Sequence, residues 1–167
     1  EHLNEVVGEI SGKVYIISHS LGTAIVEKYI TKFSPKLEAV VFLTPSPVIK
    51  RLQKAFLVNF HNIMRSKSCF YFSNRLDESV ESVYLDKFTD ESRKIELLMI
   101  RKKVPVGYYK TLVMGALNDN CMPISVLLDT AKIFKAKLII YQEHCHNMML
   151  DPAWEIVAED ILGFILV

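Results

Sequence analysis

The sequence predicts an α/β fold, a parallel sheet flanked by helices, and three observations carry that expectation. Four short runs, at 14–17 (VYII), 37–43 (LEAVVFL), 111–116 (TLVMGA) and 137–142 (KLIIYQ), are apolar enough to be buried on both faces. Helical spacing fills the interval between the first and second runs and the interval between the third and fourth. Strands that need cover on both sides and alternate with helices are the signature of a parallel sheet between helical layers.

Each element follows from local residues. Leu3, Val6, Val7 and Ile10 recur at helical spacing, and Gly12 is expected to stop that helix before the first strand. After the strand and a break of small and polar residues, Ala24, Ile25, Tyr29 and Ile30 continue as a helix until Ser34-Pro35, because the residue before proline is pushed out of the helical region. The second strand ends at Thr44-Pro45-Ser46-Pro47. From Val48 to Tyr109 the alternation stops. Helical patches replace it, with Leu52, Phe56, Phe60, Ile63 and Met64 on one face and Ile95, Leu98 and Met99 on another. Val104-Pro105-Val106-Gly107 punctuates the exit, so this segment reads as an insertion. Its charge-rich stretch at 76–94 (LDESVESVYLDKFTDESRK) reads as a solvated helical face and loop. The alternation then resumes with the third strand, a helix over Ile124–Phe134, the fourth strand and a closing helix over Ala153–Ile165. The organisation expected is a core over 1–47, an inserted segment over 48–109 and the rest of the core over 110–167.

Composition excludes several classes. A chain of 167 residues that is 50% hydrophobic can bury a substantial core. Its net charge of +1, from 20 basic and 19 acidic residues, offers no block that could neutralise a row of phosphates, so no nucleic-acid partner is expected. The apolar runs fall far short of the roughly 20 residues that span a bilayer. No secretory signal opens the text, and Cys69, Cys121 and Cys145 are odd in number and without CxxC spacing. These features suit reduced thiols and a cytoplasmic location.

The break after the first strand, SHSLG at 18–22, is where chemistry is expected. An SxG triplet alone carries no information. Between an apolar strand and a helix, with small residues at Ser18 and Gly22, it describes a sharp turn that lifts the Ser20 hydroxyl above the strand end. The backbone N–H of Leu21, at the helix start, can then donate to a developing oxyanion. The bland alternative is a strand-to-helix connection with a serine cap.

SHSLG followed by a helix resembles the GxSxG nucleophile elbow of the α/β-hydrolases, with Ser18 in place of the first glycine. That position has to be small, and serine is small. The resemblance implies an acid and then a histidine downstream. In GALNDNCMP, at 115–123, an aspartate lies four residues before a proline, as in the family's strand-end pattern, which points to Asp119. Some members carry the acid one strand earlier, but Leu43-Thr44-Pro45-Ser46 holds no carboxylate. The closing segment EHCHNMMLDPAWEIVAEDILGFI resembles the family's histidine, acidic-Pro pair and terminal helix, and alignment on Asp151-Pro152 selects His146 over His144. The resemblance thus implies a serine hydrolase with Ser20 as nucleophile, His146 as base, Asp119 as its partner and Leu21 as an oxyanion donor. It implies no cofactor.

A metal reading competes: His144-Cys145-His146, with Cys121 near a neighbouring strand end, holds metal-ligating residue types, and two histidines two apart on a strand would point the same way. No second HxH, CxxC or spaced carboxylate completes such a site, so no metal is expected. The inserted segment lies where α/β-hydrolases carry a helical cap. Phe56, Phe60, Phe70, Tyr71, Phe72 and Met99 either line an acyl pocket or form the segment's own core, the second being favoured for most of them. The substrate expected is a small or medium acyl ester, with thioester, lactone and amide carbonyls open to the same residues.

The resemblance accounts for four strands of an eight-stranded sheet. A strand beside Val14–Ile17 and a loop giving a second oxyanion donor are therefore expected before residue 1 or from an oligomer partner covering the edge, since VYII alone is an exposed apolar edge. Three readings follow: a C-terminal part of a serine hydrolase, an inactive binding or scaffold module, and a full-length relative that uses the same residues for acyl transfer. Retention of Ser20, Asp119 and His146 together favours the first.

Overall fold

The computed structural model describes residues 1–47, 72–73, 75–88 and 109–167. Four strands, β1 (Tyr15–His19), β2 (Ala39–Leu43), β3 (Thr111–Ala116) and β4 (Lys137–Tyr141), form one parallel sheet in the order β1-β2-β3-β4. Helix α1 (His2–Gly8) precedes β1, α2 (Gly22–Phe33) links β1 to β2, and α3 (Glu78–Leu85) belongs to the segment before β3. Helix α4 (Ile124–Phe134) links β3 to β4, and α5 (Trp154–Ile165) closes the chain.

Alternation along the two central strands explains the layers. Val40, Phe42 and Val113 face one side, where they pack with Val26, Tyr29 and Ile30 of α2 and Leu127, Ala131 and Phe134 of α4. Val41, Leu43, Leu112, Met114 and Ala116 face the other side and meet Met148, Val157 and Ile161. Every residue of β2 and β3 is buried, as strands covered on both faces require. Gly115 lets α4 approach the sheet closely: a Cβ there would lie 2.2 Å from a Leu127 methyl carbon. β1 is less covered, and Ile17 is half exposed. Among the described residues no strand pairs with its outer edge.

Several boundaries differ from the sequence expectation. β1 runs through Ser18 and His19, which pair with Phe42 and Leu43, because the ladder is a backbone property that continues past the end of the apolar run. β2 begins at Ala39, although the Glu38 N–H already donates to the Val14 carbonyl at 2.9 Å. Helix α1 ends at Gly8, and Gly12 instead takes φ 122° in the turn toward β1. Helices α2 and α4 end on left-handed residues, Ser34 and Lys135.

Within the segment between β2 and β3, the charge-rich stretch forms α3, capped by Asp77, whose carboxylate accepts the Ser79 N–H at 2.8 Å, and none of its residues is buried. Phe72 is buried and packs against Tyr84 and Phe88 at ring separations of 6.0 Å, so it serves the segment's own small core. The helical patches around Leu52, Ile63, Met64, Ile95 and Leu98, and the pocket candidates Phe56, Phe60, Phe70, Tyr71 and Met99, lie outside the described residues. Among the described residues no helix is long and apolar enough to cross a membrane.

Candidate active site

The site lies at the carboxyl ends of the strands, where parallel α/β sheets hold their ligands. Ser20 follows directly on β1. Its N–H donates to the Leu43 carbonyl at 3.0 Å and so completes the ladder, after which the backbone turns left-handed, with φ 49°. A non-glycine residue there costs on the order of 1–3 kcal/mol and persists only where its surroundings hold it. The Ser20 carbonyl is gripped twice, by the N–H groups of Thr23 and Ser46, each at 3.1 Å. Room for the turn comes from small neighbours: a Cβ at Gly22 would stand 3.5 Å from the Ser18 Cβ, an ordinary contact distance, so a serine fits at position 18. Leu21 is the N-cap residue of α2, next to the raised hydroxyl.

Asp119 leaves β3 through a turn and is buried. One carboxylate oxygen accepts the N–H groups of Cys121 and Met122 at 2.7 and 2.8 Å, which fixes the plane of the group. The other lies 2.9 Å from His146 Nδ1. With the Nδ1 proton donated to that oxygen, the lone pair of His146 Nε2 faces the Ser20 Oγ, also at 2.9 Å. His146 is 2% exposed, and its bond to Asp119 is buried, so water competes little for it. Three side chains separated by up to 126 positions thus form one hydrogen-bonded chain from hydroxyl to carboxylate.

Two further residues hold the histidine, and the sequence reading did not single them out. His19 Nε2 bonds the His146 carbonyl at 3.0 Å, and the Thr44 hydroxyl donates to the same oxygen at 3.2 Å. The rings of His19 and His146 lie 4.8 Å apart. Burial, reinforced by the electrostatic influence of the neighbouring His146, pushes His19 down to about 4. His19 is therefore a neutral N–H donor near pH 7. Its place one residue before Ser20 was a usable signal, since any residue there lies beside the elbow. Nothing in the text joined it to position 146.

The other candidates separate from this group. His144 is buried, lies tilted against the Tyr141 ring at 4.7 Å and bonds the Ala153 carbonyl at 3.2 Å, so it is a packed structural residue. The expectation that His144 and His146 point the same way fails because β4 ends at Tyr141, leaving both in a loop where strand alternation does not apply. Burial raises the Cys145 thiol to about 12, which keeps it protonated and a poor ligand. Arg75, from the segment before β3, reaches back to pair with buried Asp151 and, at 2.7 Å, with Glu143, clasping the loop that carries His146 from both ends. The Asp-Pro pair that served as an alignment mark is thus also an anchor.

Comparison with known proteins gives the family and the fold. The family model described as serine hydrolase matches residues 1–155. The chain belongs to the serine hydrolase family. Solved structures show that it shares the α/β-hydrolase fold. An esterase from Exiguobacterium antarcticum superposes with a TM-score of 0.79 at 14% identity, covering 99% of this chain and 72% of that one. A bromoperoxidase from Bacillus anthracis gives 0.74 at 16% identity, with 99% and 72% covered. A lipase-esterase related protein from Clostridium acetobutylicum gives 0.69 at 18% identity, with 98% and 74% covered. At these identities the likeness speaks for the fold. A search of curated proteins by sequence returns no match.

Proposed function

We propose that this serine hydrolase cleaves carboxylic esters by two-step acyl transfer through Ser20, His146 and Asp119. The observation that carries the reading is the imidazole of His146, set 2.9 Å from both the Ser20 hydroxyl and the Asp119 carboxylate. In the first step His146 Nε2 takes the Ser20 proton while Oγ bonds to the ester carbonyl carbon. The oxyanion that forms is held in part by the Leu21 N–H at the start of α2. On collapse of the tetrahedral intermediate, the protonated imidazole returns its proton to the departing alkoxide, leaving an acyl group on Ser20. Water, deprotonated by the same nitrogen, then releases the acid. Asp119 holds the Nδ1–H tautomer and stabilises the imidazolium without itself taking the proton. This chemistry needs no cofactor.

The segment at 48–109 is read as a cap over the strand ends, supported by the pairing of Arg75 with Asp151 and Glu143 beside the histidine loop. A cap there suits a small or medium acyl group. Cys121 and Cys145, both outside any disulfide, suit a reducing compartment such as the cytoplasm.

Rapid mixing with p-nitrophenyl acetate and butyrate tests the reading. A burst of nitrophenolate equal to the enzyme present, followed by steady turnover, is expected of an acyl-enzyme. Steady turnover in a Ser20→Ala variant at the wild-type rate would contradict it.

A further inference from the structure

We propose that Asp119, Cys121 and His146 form a capture site for a zinc ion, and that zinc bound there switches the hydrolase off. The inhibition rests on the triad reading above; the binding does not. Each of the three residues is buried and offers one donor atom, and the three atoms lie within 4.8 Å of one another. A carboxylate oxygen, a sulfur and an imidazole nitrogen make a mixed set that suits zinc and leaves out calcium and magnesium, which take oxygen ligands. Zinc bonds of about 2.0–2.3 Å put tetrahedral donors roughly 3.3–3.8 Å apart, so the group needs to draw in by only about 1 Å. A fourth position remains for water.

Charge favours the site as well. A thiolate and a carboxylate balance a divalent cation, and a neutral assembly is what a buried setting tolerates. The ligands are also held from behind. One Asp119 oxygen is fixed by the Cys121 and Met122 N–H groups at 2.7 and 2.8 Å, and the His146 backbone is fixed by His19 and Thr44. Such outer contacts orient ligands and raise affinity.

On binding, the Cys121 S–H bond breaks, sulfur bonds zinc and the proton leaves to solvent; nothing is oxidised or reduced. His146 loses its role whichever nitrogen binds. Through Nδ1, its proton moves to Nε2, which then cannot accept from Ser20. Through Nε2, the accepting lone pair is gone. The ion is thus a regulator that competes with the Asp119–His146 bond, and not a resident catalytic metal.

The test uses cobalt as an absorbing substitute for zinc. One equivalent of cobalt should give thiolate-to-cobalt absorption in wild type and in Ser20→Ala, lost in Cys121→Ser and displaced by zinc. Micromolar zinc should suppress ester turnover reversibly with chelator, and the inhibition constant should rise about tenfold or more in Cys121→Ser, measured against that variant's own zinc-free rate. X-ray absorption of the zinc-loaded wild-type protein, which needs no variant, should show one sulfur at about 2.3 Å. Absence of sulfur from the zinc shell, or equal inhibition of Cys121→Ser and wild type, would overturn the proposal. A protein that takes up cobalt through sulfur yet turns over no ester would leave the site standing and defeat the functional reading instead. Turnover with no cobalt–sulfur band would do the reverse.

Discussion

Ser20 and Thr44 hold equivalent places on neighbouring strands, and the structure uses them differently. Each follows the last residue of its strand, His19 paired with Leu43, and each donates its N–H to the next strand, Ser20 to Leu43 and Thr44 to Met114. Both then turn left-handed, at φ 49° and φ 41°. Beyond the turn they part. Ser20 leads into α2 and lifts its hydroxyl to the Nε2 of His146, whereas fully buried Thr44 leads into Pro45-Ser46-Pro47 and gives its hydroxyl to the backbone carbonyl of the same histidine. Left-handed strain at a strand end is therefore not itself a mark of a nucleophile. On the proposed mechanism, the ring nitrogen that the Ser20 hydroxyl meets, against the backbone carbonyl that Thr44 meets, is what separates the two roles.

The comparison breaks most sharply under substitution at Ser20. Ser20→Ala should lower ester turnover by about 10⁶-fold, as loss of a triad nucleophile does elsewhere, with the melting temperature held or raised. Steady-state assays and thermal melts check this, and a loss of fold would mean that the hydroxyl is structural. Next is Asp119→Asn, which keeps the shape but favours the wrong imidazole tautomer and should cost about 10⁴-fold in kcat at neutral pH. A change of only a few-fold would place the acid elsewhere.

Smaller effects sharpen the supporting side. His19→Phe removes one donor to the His146 carbonyl and should cut kcat by about 10- to 100-fold with KM little changed, as misplacement of a catalytic group does. His19→Gln, which can still donate, should recover most of that loss. The histidine also predicts a pH effect. Its value is about 4 folded and 6.5 unfolded, so between these the unfolded chain binds the extra proton and unfolding free energy rises with pH. In chelator-treated protein, denaturation midpoints from pH 4 to 6.5 should rise less steeply in His19→Phe than in wild type. Least is Thr44→Val, expected to cost about 1 kcal/mol of stability through one lost hydrogen bond, with turnover largely retained because His19 still holds the carbonyl. The double variant should lose more than the sum, since the two donors share one acceptor.

The same contrast shows what could be read from the text. The four strands were visible because apolar runs and helical spacing are local properties, and Ser20, Asp119 and His146 each sat in a recognisable local pattern. The end of β1 is not legible in the apolar pattern, because Ser18 and His19 are polar yet still pair with β2. Thr44 gave no warning, since a β-branched residue at positive φ runs against its own preference and is held there by contacts distant in sequence. The roles of His19 and Arg75 depend on pairings across 127 and 76 positions, which no local pattern records.

The central claim is that Ser20 is a nucleophile made reactive by His146. Treatment of the protein and a His146→Ala variant with a fluorophosphonate, followed by peptide mapping, tests it most directly. The predicted result is a phosphonyl adduct on Ser20 in the wild type and almost none in the variant. An adduct on another residue, or labelling of Ser20 at an unchanged rate without His146, would contradict it.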